Sequence, residues 1–154
     1  MIEPPTTGLA RIFRAVVEVG PVMDYGQTRA GHRRIVPILG GALSAGLDAE
    51  VLPGGADWQI AHADGTLDID TRYSARTTDG ELVHIRTKGV RSGPPEVLEA
   101  ILAGETRSPD EYHFRVVVTL ETASARLRHL QDSIIVAAAA REASLVVYDA
   151  YRVL

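Results

Sequence analysis

Two Asp-Gly dipeptides, set between segments of alternating polarity, are the sequence feature that most constrains the fold. Asp64-Gly65 follows the run Asp57–His62, and Asp79-Gly80 follows the run Leu67–Thr77. Alternation with a period of two is typical of β-strands, and an Asp-Gly between two such runs is a strong short-range indication of a tight hairpin. The central part of the chain is therefore predicted to form antiparallel hairpins.

The same patterns predict nine strands and one helix. The predicted strands are Arg11–Val19, Arg33–Leu39, Ala49–Leu52, Asp57–His62, Leu67–Thr77, Glu81–Val90, Tyr112–Glu121, Ser133–Ala139 and Leu145–Val153. The helix is predicted over Pro95–Ala103, because two prolines can occupy its first turn, its apolar residues recur at helical spacing and Gly104 can end it. We expect this helix to plug or flank the sheet.

Residues 125–140 fit two interpretations. Leu127, Leu130 and Ile134 recur at helical spacing, whereas Ser133–Val136 could equally be a buried strand. We predict a short turn followed by a strand.

Length and composition predict one domain over residues 1–154, with residues 1–8 as a loose N-terminal tail. Hydrophobic residues make up 45% of the chain and charged residues 23%, which is typical of a folded protein. The longest apolar run, Ser133–Ala140, is too short to cross a bilayer, and the N-terminus lacks the pattern of a signal peptide. We therefore expect a cytoplasmic protein without membrane contact.

Several classes of function are disfavoured by residue content. The net charge of −4 and the lack of a lysine- or arginine-rich block argue against nucleic-acid binding. The chain has no cysteine, and its five histidines form neither an HExxH nor a His-x-His pattern, so no metal site is expected. Gly40-Gly41 and Gly54-Gly55 lead into strand-like segments, which argues against a phosphate-binding loop, and a GxSxG motif is absent. We expect no cofactor.

A two-residue loop at Asp64-Gly65 would determine how the flanking strands pair. Counting back from that loop places Asp57 opposite Arg72 and Gln59 opposite Asp70. All four side chains would then project from one face of the sheet, because side chains alternate between faces along a strand.

A two-residue loop at Asp79-Gly80 would add a third strand to this face. It places Arg72 opposite Thr87, so that two carboxylates, a guanidinium, an amide and a hydroxyl form one polar cluster. The opposite face would carry Trp58, Ile60, Ile69, Thr71, Tyr73, His84 and Arg86.

Two interpretations of the polar cluster remain open. It could be a solvated outer face, where an exposed pair such as Asp57–Arg72 contributes only about 0.2–1 kcal/mol. Alternatively, it could line a barrel cavity, where the buried groups would have shifted pKa values and could hold or protonate a polar ligand.

Several blocks of the sequence resemble a bacterial family of unknown function. The blocks are Gly31–Ile38, Gly40-Gly41, Val51–Gln59, Asp70–Tyr73, Asp79-Gly80, Gly89, Gly93-Pro94, Pro109, Tyr112–Arg115, Glu121-Thr122 and Tyr151. The most specific is Gly54-Gly55-Ala56-Asp57-Trp58-Gln59. The resemblance implies a mainly β fold, an antiparallel calycin- or lipocalin-like β-barrel with one principal helix, and it emphasises Asp57, Gln59, Asp70 and Arg72.

The register and the resemblance together define the candidate site residues. The catalytic candidates are Asp57, Asp70, Arg72 and Glu121. The ligand-binding candidates are Arg34, Trp58, Gln59, Tyr73, Thr87, Tyr112 and Arg115. Arg115 and Glu121 share one face of a regular strand, where they could close the pocket or cap the end of the barrel. Trp58 and Tyr73 could instead belong to the core.

Three functions are compatible with this sequence. The first is a cofactor-independent enzyme that performs acid/base chemistry on a small organic metabolite, as a lyase, hydratase, isomerase or cyclase, because neighbouring carboxylates and an arginine can separate acid and base roles. The alternative is a non-catalytic small-molecule binding protein of calycin type. The third is a structural subunit whose broad β-face forms a homodimer, which is compatible with either of the others.

Overall fold

Ten strands and one α-helix make up the computed structural model, which describes residues 1–154. The strands are β1 (Leu9–Val19), β2 (Met23–Thr28), β3 (Gly31–Ser44), β4 (Ala49–Val51), β5 (Ala56–Ala61), β6 (Leu67–Thr77), β7 (Leu82–Ser92), β8 (His113–Thr122), β9 (Ile135–Arg141) and β10 (Leu145–Val153). The helix α1 spans Pro95–Leu102, and two 3-10 helices span Pro109–Glu111 and Arg128–Gln131.

The strands close into an antiparallel β-barrel. Neighbouring strands pair in the order β1-β10-β9-β8-β7-β6-β4-β3, and β1 pairs back with β3. The short strands β4 and β5 follow one another between β3 and β6 and together occupy one position, so the barrel has eight positions. The predicted antiparallel barrel with one principal helix is confirmed.

Two elements depart from the sequence prediction. β2 was not predicted, because its residues are almost all exposed and show no apolar alternation. β3 continues past Leu39 to Ser44 through Gly40-Gly41. The prediction for residues 125–140 is confirmed, since a short 3-10 turn over Arg128–Gln131 precedes β9.

Both Asp-Gly hairpins contain three-residue loops, so the predicted register is wrong by one residue. The backbone N–H of His62 donates to the carbonyl of Thr66 at 2.8 Å, and the N–H of Thr77 donates to the carbonyl of Glu81 at 2.9 Å. Gly65 and Gly80 end these loops with φ of +86° and +83°, the left-handed conformation that such a loop requires and glycine favours.

The correct register changes which residues face each other. Asp57 lies opposite Thr71, not Arg72, and Arg72 lies opposite Ala56 on one side and Arg86 on the other. Thr87 lies opposite Thr71. Because a shift of one residue reverses the face of every side chain on one strand relative to its neighbour, the predicted polar cluster is divided between the two faces.

Alternation along the strands fills one end of the barrel with apolar side chains. In β6 the odd-numbered residues from Leu67 to Thr77 are all buried, and the even-numbered ones point outward. Phe13, Leu47 and Ile85 are among the largest fully buried side chains and fill one end of the interior. The other end is not filled in this way.

The helix α1 lies beside the open end of the barrel. It follows directly from the end of β7, and its residues Val97, Leu98 and Ile101 are buried. None of the helices has the length and hydropathy needed to cross a membrane.

Candidate active site

The unfilled end of the barrel contains a cavity with mainly apolar walls. The centre of a water molecule can occupy only about 40 Å³ of it, so the inner cavity is narrow. The polar and charged side chains that line it are Asp57, Gln59, Thr71, Tyr73, Thr87, Arg91, Arg141 and Tyr148. Apolar walls with a few convergent polar groups are typical of small-molecule sites.

On the same measure of the space open to the centre of a water molecule, a wider opening of about 500 Å³ lies between α1 and the barrel rim, directly outside this cavity. Five residues line both spaces and so form the neck between them: Val19, Val36, Gln59, Arg91 and Arg141. A third opening of about 370 Å³ is lined by the other side of α1 and also reaches Arg91. Arg91 and Arg141, two of the three charged side chains that line the inner cavity, therefore lie at the neck.

Asp57 is a buried carboxylate with three hydrogen-bond donors around it. Gln59 donates its side-chain amide to Asp57 at 2.7 Å, and the backbone N–H of Asp70 donates to it at 3.1 Å. Burial raises the pKa of Asp57, and the hydrogen bonds from Gln59, the Asp70 backbone and Thr71 together with the charge of Arg91 oppose this rise only in part. A carboxyl with a raised pKa is suited to exchange protons with a ligand.

Arg91 is a buried cation whose Nε has no hydrogen-bond partner. The residue is 6% exposed, and its Nε is the one buried side-chain nitrogen or oxygen atom of the protein without a partner. Its guanidinium carbon lies 5.6 Å from the centre of the Phe114 ring. Burial lowers the pKa of Arg91 to about 10, and the positive charge of Arg141 acts in the same direction, whereas Asp57 opposes the shift. The side chain remains protonated at neutral pH.

Arg141 places a second guanidinium at the neck. Its Nη1 donates to the carbonyl of Leu145 at 3.3 Å, and its backbone N–H donates to the hydroxyl of Tyr112 at 2.9 Å. Burial lowers the pKa of Arg141, and the charge of Asp57 opposes this. Two arginines and one aspartate are therefore the charged groups of the inner cavity.

A pair of buried tyrosines stands on the inner wall of the cavity. The hydroxyls of Tyr73 and Tyr148 hydrogen-bond to each other, and burial raises the pKa of both. The pair has two hydroxyl protons and uses one between its members, so the second is available to an oxygen atom in the cavity.

The structure brings four of the predicted site residues together in the cavity. Asp57, Gln59, Tyr73 and Thr87 all line it. Tyr73 had been assigned to the opposite face from the other three, and the corrected register explains why it joins them. The predicted cluster is thus confirmed for Asp57, Gln59 and Thr87 as members of one face, and wrong for its other two members.

Asp70 and Arg72 lie on the outside of the barrel. There, Asp70 accepts hydrogen bonds from Arg86 at 3.0 and 3.2 Å and pairs with Arg72 at 3.4 Å, and the Arg72 guanidinium lies 5.9 Å from the centre of the Trp58 ring. Trp58 is 37% exposed. Burial pushes the pKa of Asp70 upward, but the hydrogen bond and charge of Arg86 and the charge of Arg72 outweigh it, so that the pKa is lowered.

The remaining predicted residues occupy different positions. Arg34 pairs with Asp24 at 3.3 Å and lines the opening on the far side of α1. Tyr112 is buried behind the neck, where its hydroxyl accepts the hydrogen bond from Arg141. Arg115 and Glu121 share one face of β8, as expected, but this is the exposed face, because the alternate residues of β8 are the buried ones. They do not close the cavity.

Sequence reasoning missed Arg91, Arg141, Thr71 and Tyr148. A signal for the inner face was present in β6: its odd positions from Leu67 read Leu, Ile, Thr, Tyr, Ala and Thr, whereas its even positions read Asp, Asp, Arg, Ser and Arg. Carrying that alternation into β7 and β9 would have placed Arg91 and Arg141 inside. No three histidine, aspartate or glutamate side chains lie close enough together to hold a metal ion.

The fold and the cavity define a closed antiparallel β-barrel with a charged neck and an apolar interior. The chain belongs to a family described as "Protein of unknown function (DUF3237)", whose model matches residues 7–153. It is 37% identical over 150 residues to the UPF0311 protein blr7842 of Bradyrhizobium diazoefficiens, a match that covers 97% of this chain and 99% of that one.

Solved structures of similar proteins share the barrel. The conserved protein of unknown function RPA1785 from Rhodopseudomonas palustris superposes with a TM-score of 0.92 at 35% identity, covering 99% of this chain and 100% of that one. A β-barrel-like protein from Acinetobacter baumannii gives a TM-score of 0.86 at 36% identity, with both chains covered completely. A more distant structure, described as an enzyme from Penicillium herquei, shares the fold with a TM-score of 0.69 at 21% identity, covering 97% of this chain and 99% of that one.

Proposed function

We propose that the protein binds a small organic molecule at the neck of the barrel and catalyses a proton transfer on it without a cofactor, with Asp57 as the acid or base. The observation that carries this proposal is that Asp57 and Arg91, whose Nε has no hydrogen-bond partner, line the same cavity with mainly apolar walls. Lyase, hydratase, isomerase and cyclase reactions all fit this class, because each needs a proton to be moved at a defined atom.

The two charged residues have complementary roles in such a reaction. Asp57 has a raised pKa and is oriented by Gln59, so it can take a proton from a bound molecule and return it. Arg91 has a free Nε donor, which can stabilise negative charge that develops on an oxygen of the same molecule. Partial exclusion of water at the neck strengthens both interactions.

The structure of the enzyme from Penicillium herquei supports the proposal only at the level of the fold. That protein is described as an enzyme, so the barrel is compatible with catalysis. The shared fold does not transfer a reaction or a substrate, because function depends on the site.

A second candidate function is non-catalytic binding of a small molecule by the same cavity. It is favoured by the hydrogen bonds that already occupy Asp57, since a carboxylate held by Gln59 and the backbone of Asp70 could serve mainly to balance the charge of Arg91. Binding requires complementarity to the ground state alone, whereas catalysis requires an exchangeable proton at the ligand.

The experiment that separates the two functions is hydrogen–deuterium exchange of candidate ligands. The purified protein is incubated in D2O with 2-oxo acids that carry aryl or branched alkyl groups, and the loss of C–H signals next to the ketone is followed by proton NMR. We expect faster exchange of at least one compound with the wild-type protein, a loss of roughly 100-fold in Asp57→Asn, and no loss in Asp70→Asn, which changes the same residue type on the outside of the barrel.

Two other outcomes would contradict part of the proposal. If the compounds bind but exchange no faster than without protein, the cavity binds without catalysing this step and the second candidate is favoured. If Asp70→Asn loses exchange and Asp57→Asn keeps it, the site lies on the outer face.

A further inference from the structure

The neck of the barrel carries an uncompensated positive charge. Arg91 and Arg141 line both the inner cavity and the wider opening outside it. Asp57 is the one carboxylate among the residues that line the inner cavity, and no carboxylate lines the wider opening. With Asp57 ionised, one positive charge is left without a counter-charge.

This excess charge does not follow from the overall composition. The chain has 20 acidic and 16 basic residues, and its net charge is −4. Several arginines outside the cavity are paired with a carboxylate, among them Arg14 with Asp149 at 2.7 Å and Arg86 with Asp70 at 3.0 Å. Arg91 has no such partner, although it is more deeply buried than these.

Burying an unpaired guanidinium is costly, and folded proteins normally satisfy such a group. The Nε of Arg91 lacks a protein acceptor, and the geometry of a guanidinium matches the two oxygens of a carboxylate. An anionic ligand at the neck would supply both the missing acceptor and the missing charge.

We propose that the molecule bound at the neck is an organic monoanion, a carboxylate whose oxygens are held by Arg91 and Arg141 and whose apolar body lies in the opening beneath α1. This inference rests on the proposed function, since it concerns the same cavity.

Charge and shape both restrict the ligand. A monocarboxylate leaves the neck neutral when Asp57 is ionised. A phosphate monoester carries about −1.5 to −2 charges at neutral pH and would leave an excess of negative charge at the neck. The wider opening is lined by apolar side chains of the rim and helix, including Val22, Ile101 and Leu102, and Leu102 is largely exposed. These surfaces suit an aromatic or branched aliphatic group.

The test compares ligands that differ only in charge. Isothermal titration calorimetry at pH 7 measures the binding of 3-phenylpropanoate, of the neutral 3-phenylpropanamide and of phenyl phosphate to the wild-type protein, to Arg91→Met and to Arg72→Met. Arg72→Met is the matched control, because it removes the same charge from the outside of the barrel. Circular dichroism confirms that each variant is folded, and Arg141→Met replaces Arg91→Met if the latter is not.

We expect 3-phenylpropanoate to bind the wild-type protein roughly 10- to 100-fold more tightly than its amide, the range expected for hydrogen bonds to a charged group. That preference should disappear in Arg91→Met or Arg141→Met and persist in Arg72→Met.

Three results would contradict the inference, each in a different way. Equal binding of acid and amide would overturn the anion inference while leaving the cavity as the site. Tighter binding of phenyl phosphate than of 3-phenylpropanoate would overturn the monoanion assignment. No binding of any of the three compounds would overturn the assignment of an aromatic monoanion as ligand, whereas the proposed proton transfer fails only if the exchange experiment fails.

Discussion

Gln59 donates a 2.7 Å hydrogen bond to the carboxylate of Asp57, and both residues lie on the inner face of β5. Residues two apart on a strand share a face, so this contact is local and places the carboxylate without help from a distant loop. The backbone N–H of Asp70, on the neighbouring strand β6, holds the other oxygen at 3.1 Å. The acidic group of the cavity is therefore positioned by rigid sheet rather than by mobile segments.

The first prediction concerns the pH dependence of stability caused by Asp57. Because burial raises its pKa above the ordinary value of 3.8, the folded state binds the proton more tightly than the unfolded state. The contribution of Asp57 to stability should therefore decrease as the pH rises from about 3.8 through the raised pKa. Urea unfolding of wild type and Asp57→Asn at several pH values should show a free-energy difference that turns against the wild type in this window. A difference that is constant with pH would contradict the raised pKa.

The second prediction concerns the stability cost of Arg91. Replacing a buried ion pair by apolar side chains of similar volume is often neutral or stabilising by about 1–4 kcal/mol, whereas removing one partner alone leaves a buried charge uncompensated. Arg91→Met removes a guanidinium whose Nε has no partner, and Arg141 remains to balance the charge of Asp57. We therefore expect Arg91→Met to be at least as stable as the wild type in urea unfolding without ligand, while Arg72→Met changes stability by less than about 1 kcal/mol. A loss of several kcal/mol in Arg91→Met would indicate that Arg91 is a structural residue.

The third prediction concerns the buried tyrosine pair. Tyr73→Phe or Tyr148→Phe should each destabilise the protein by about 1–3 kcal/mol, because the remaining hydroxyl loses its protein partner. The double variant should cost less than the sum of the two single variants, because neither hydroxyl then remains. Additive losses in thermal or urea unfolding would show that the two hydroxyls do not depend on each other.

The fourth prediction concerns the loop between β6 and β7. Gly80 has a φ of +83° with no atom within 4 Å of where a Cβ would lie, so a substitution there tests backbone conformation without steric interference. Gly80→Ala should destabilise the protein by roughly 1 kcal/mol, and Gly80→Asn by less, because asparagine tolerates the left-handed region better. Equal stability of the alanine variant and the wild type would contradict the three-residue loop.

The sequence predicted the elements better than their register. Alternating polarity was sufficient to identify β6 with correct bounds, and the proline pair with helical spacing was sufficient for α1. An Asp-Gly dipeptide, however, is compatible with loops of two and of three residues, and the positions of Asp64-Gly65 and Asp79-Gly80 do not distinguish them. This difference of one residue in loop length decides which side chains of neighbouring strands share a face.

The uncertain length of the Asp-Gly loops also explains which site residues were predicted correctly from the sequence. Asp57 and Gln59 belong to one strand, so their common face did not depend on any loop. Asp70 and Arg72 were placed on the same face as these two residues only through the assumed register, and they lie on the outside of the barrel. Arg91 and Arg141 stand near the ends of β7 and β9, and only the alternation carried along these strands from β6 distinguishes them from exposed arginines.

The most direct test of the central claim, that the ligand is held at the neck by Arg91, is the NMR signal of the Arg91 Nε–H group. Comparison with Arg91→Met assigns the signal in a 15N-labelled sample, which is then titrated with 3-phenylpropanoate. We expect the Arg91 Hε resonance to move downfield on binding, because an unpartnered donor gains a carboxylate acceptor, while the signals of Arg72 and Arg86 stay in place. An unchanged Arg91 signal, with shifts at Arg72 or Arg86 instead, would place the ligand on the outer face and would show that Arg91 does not hold it.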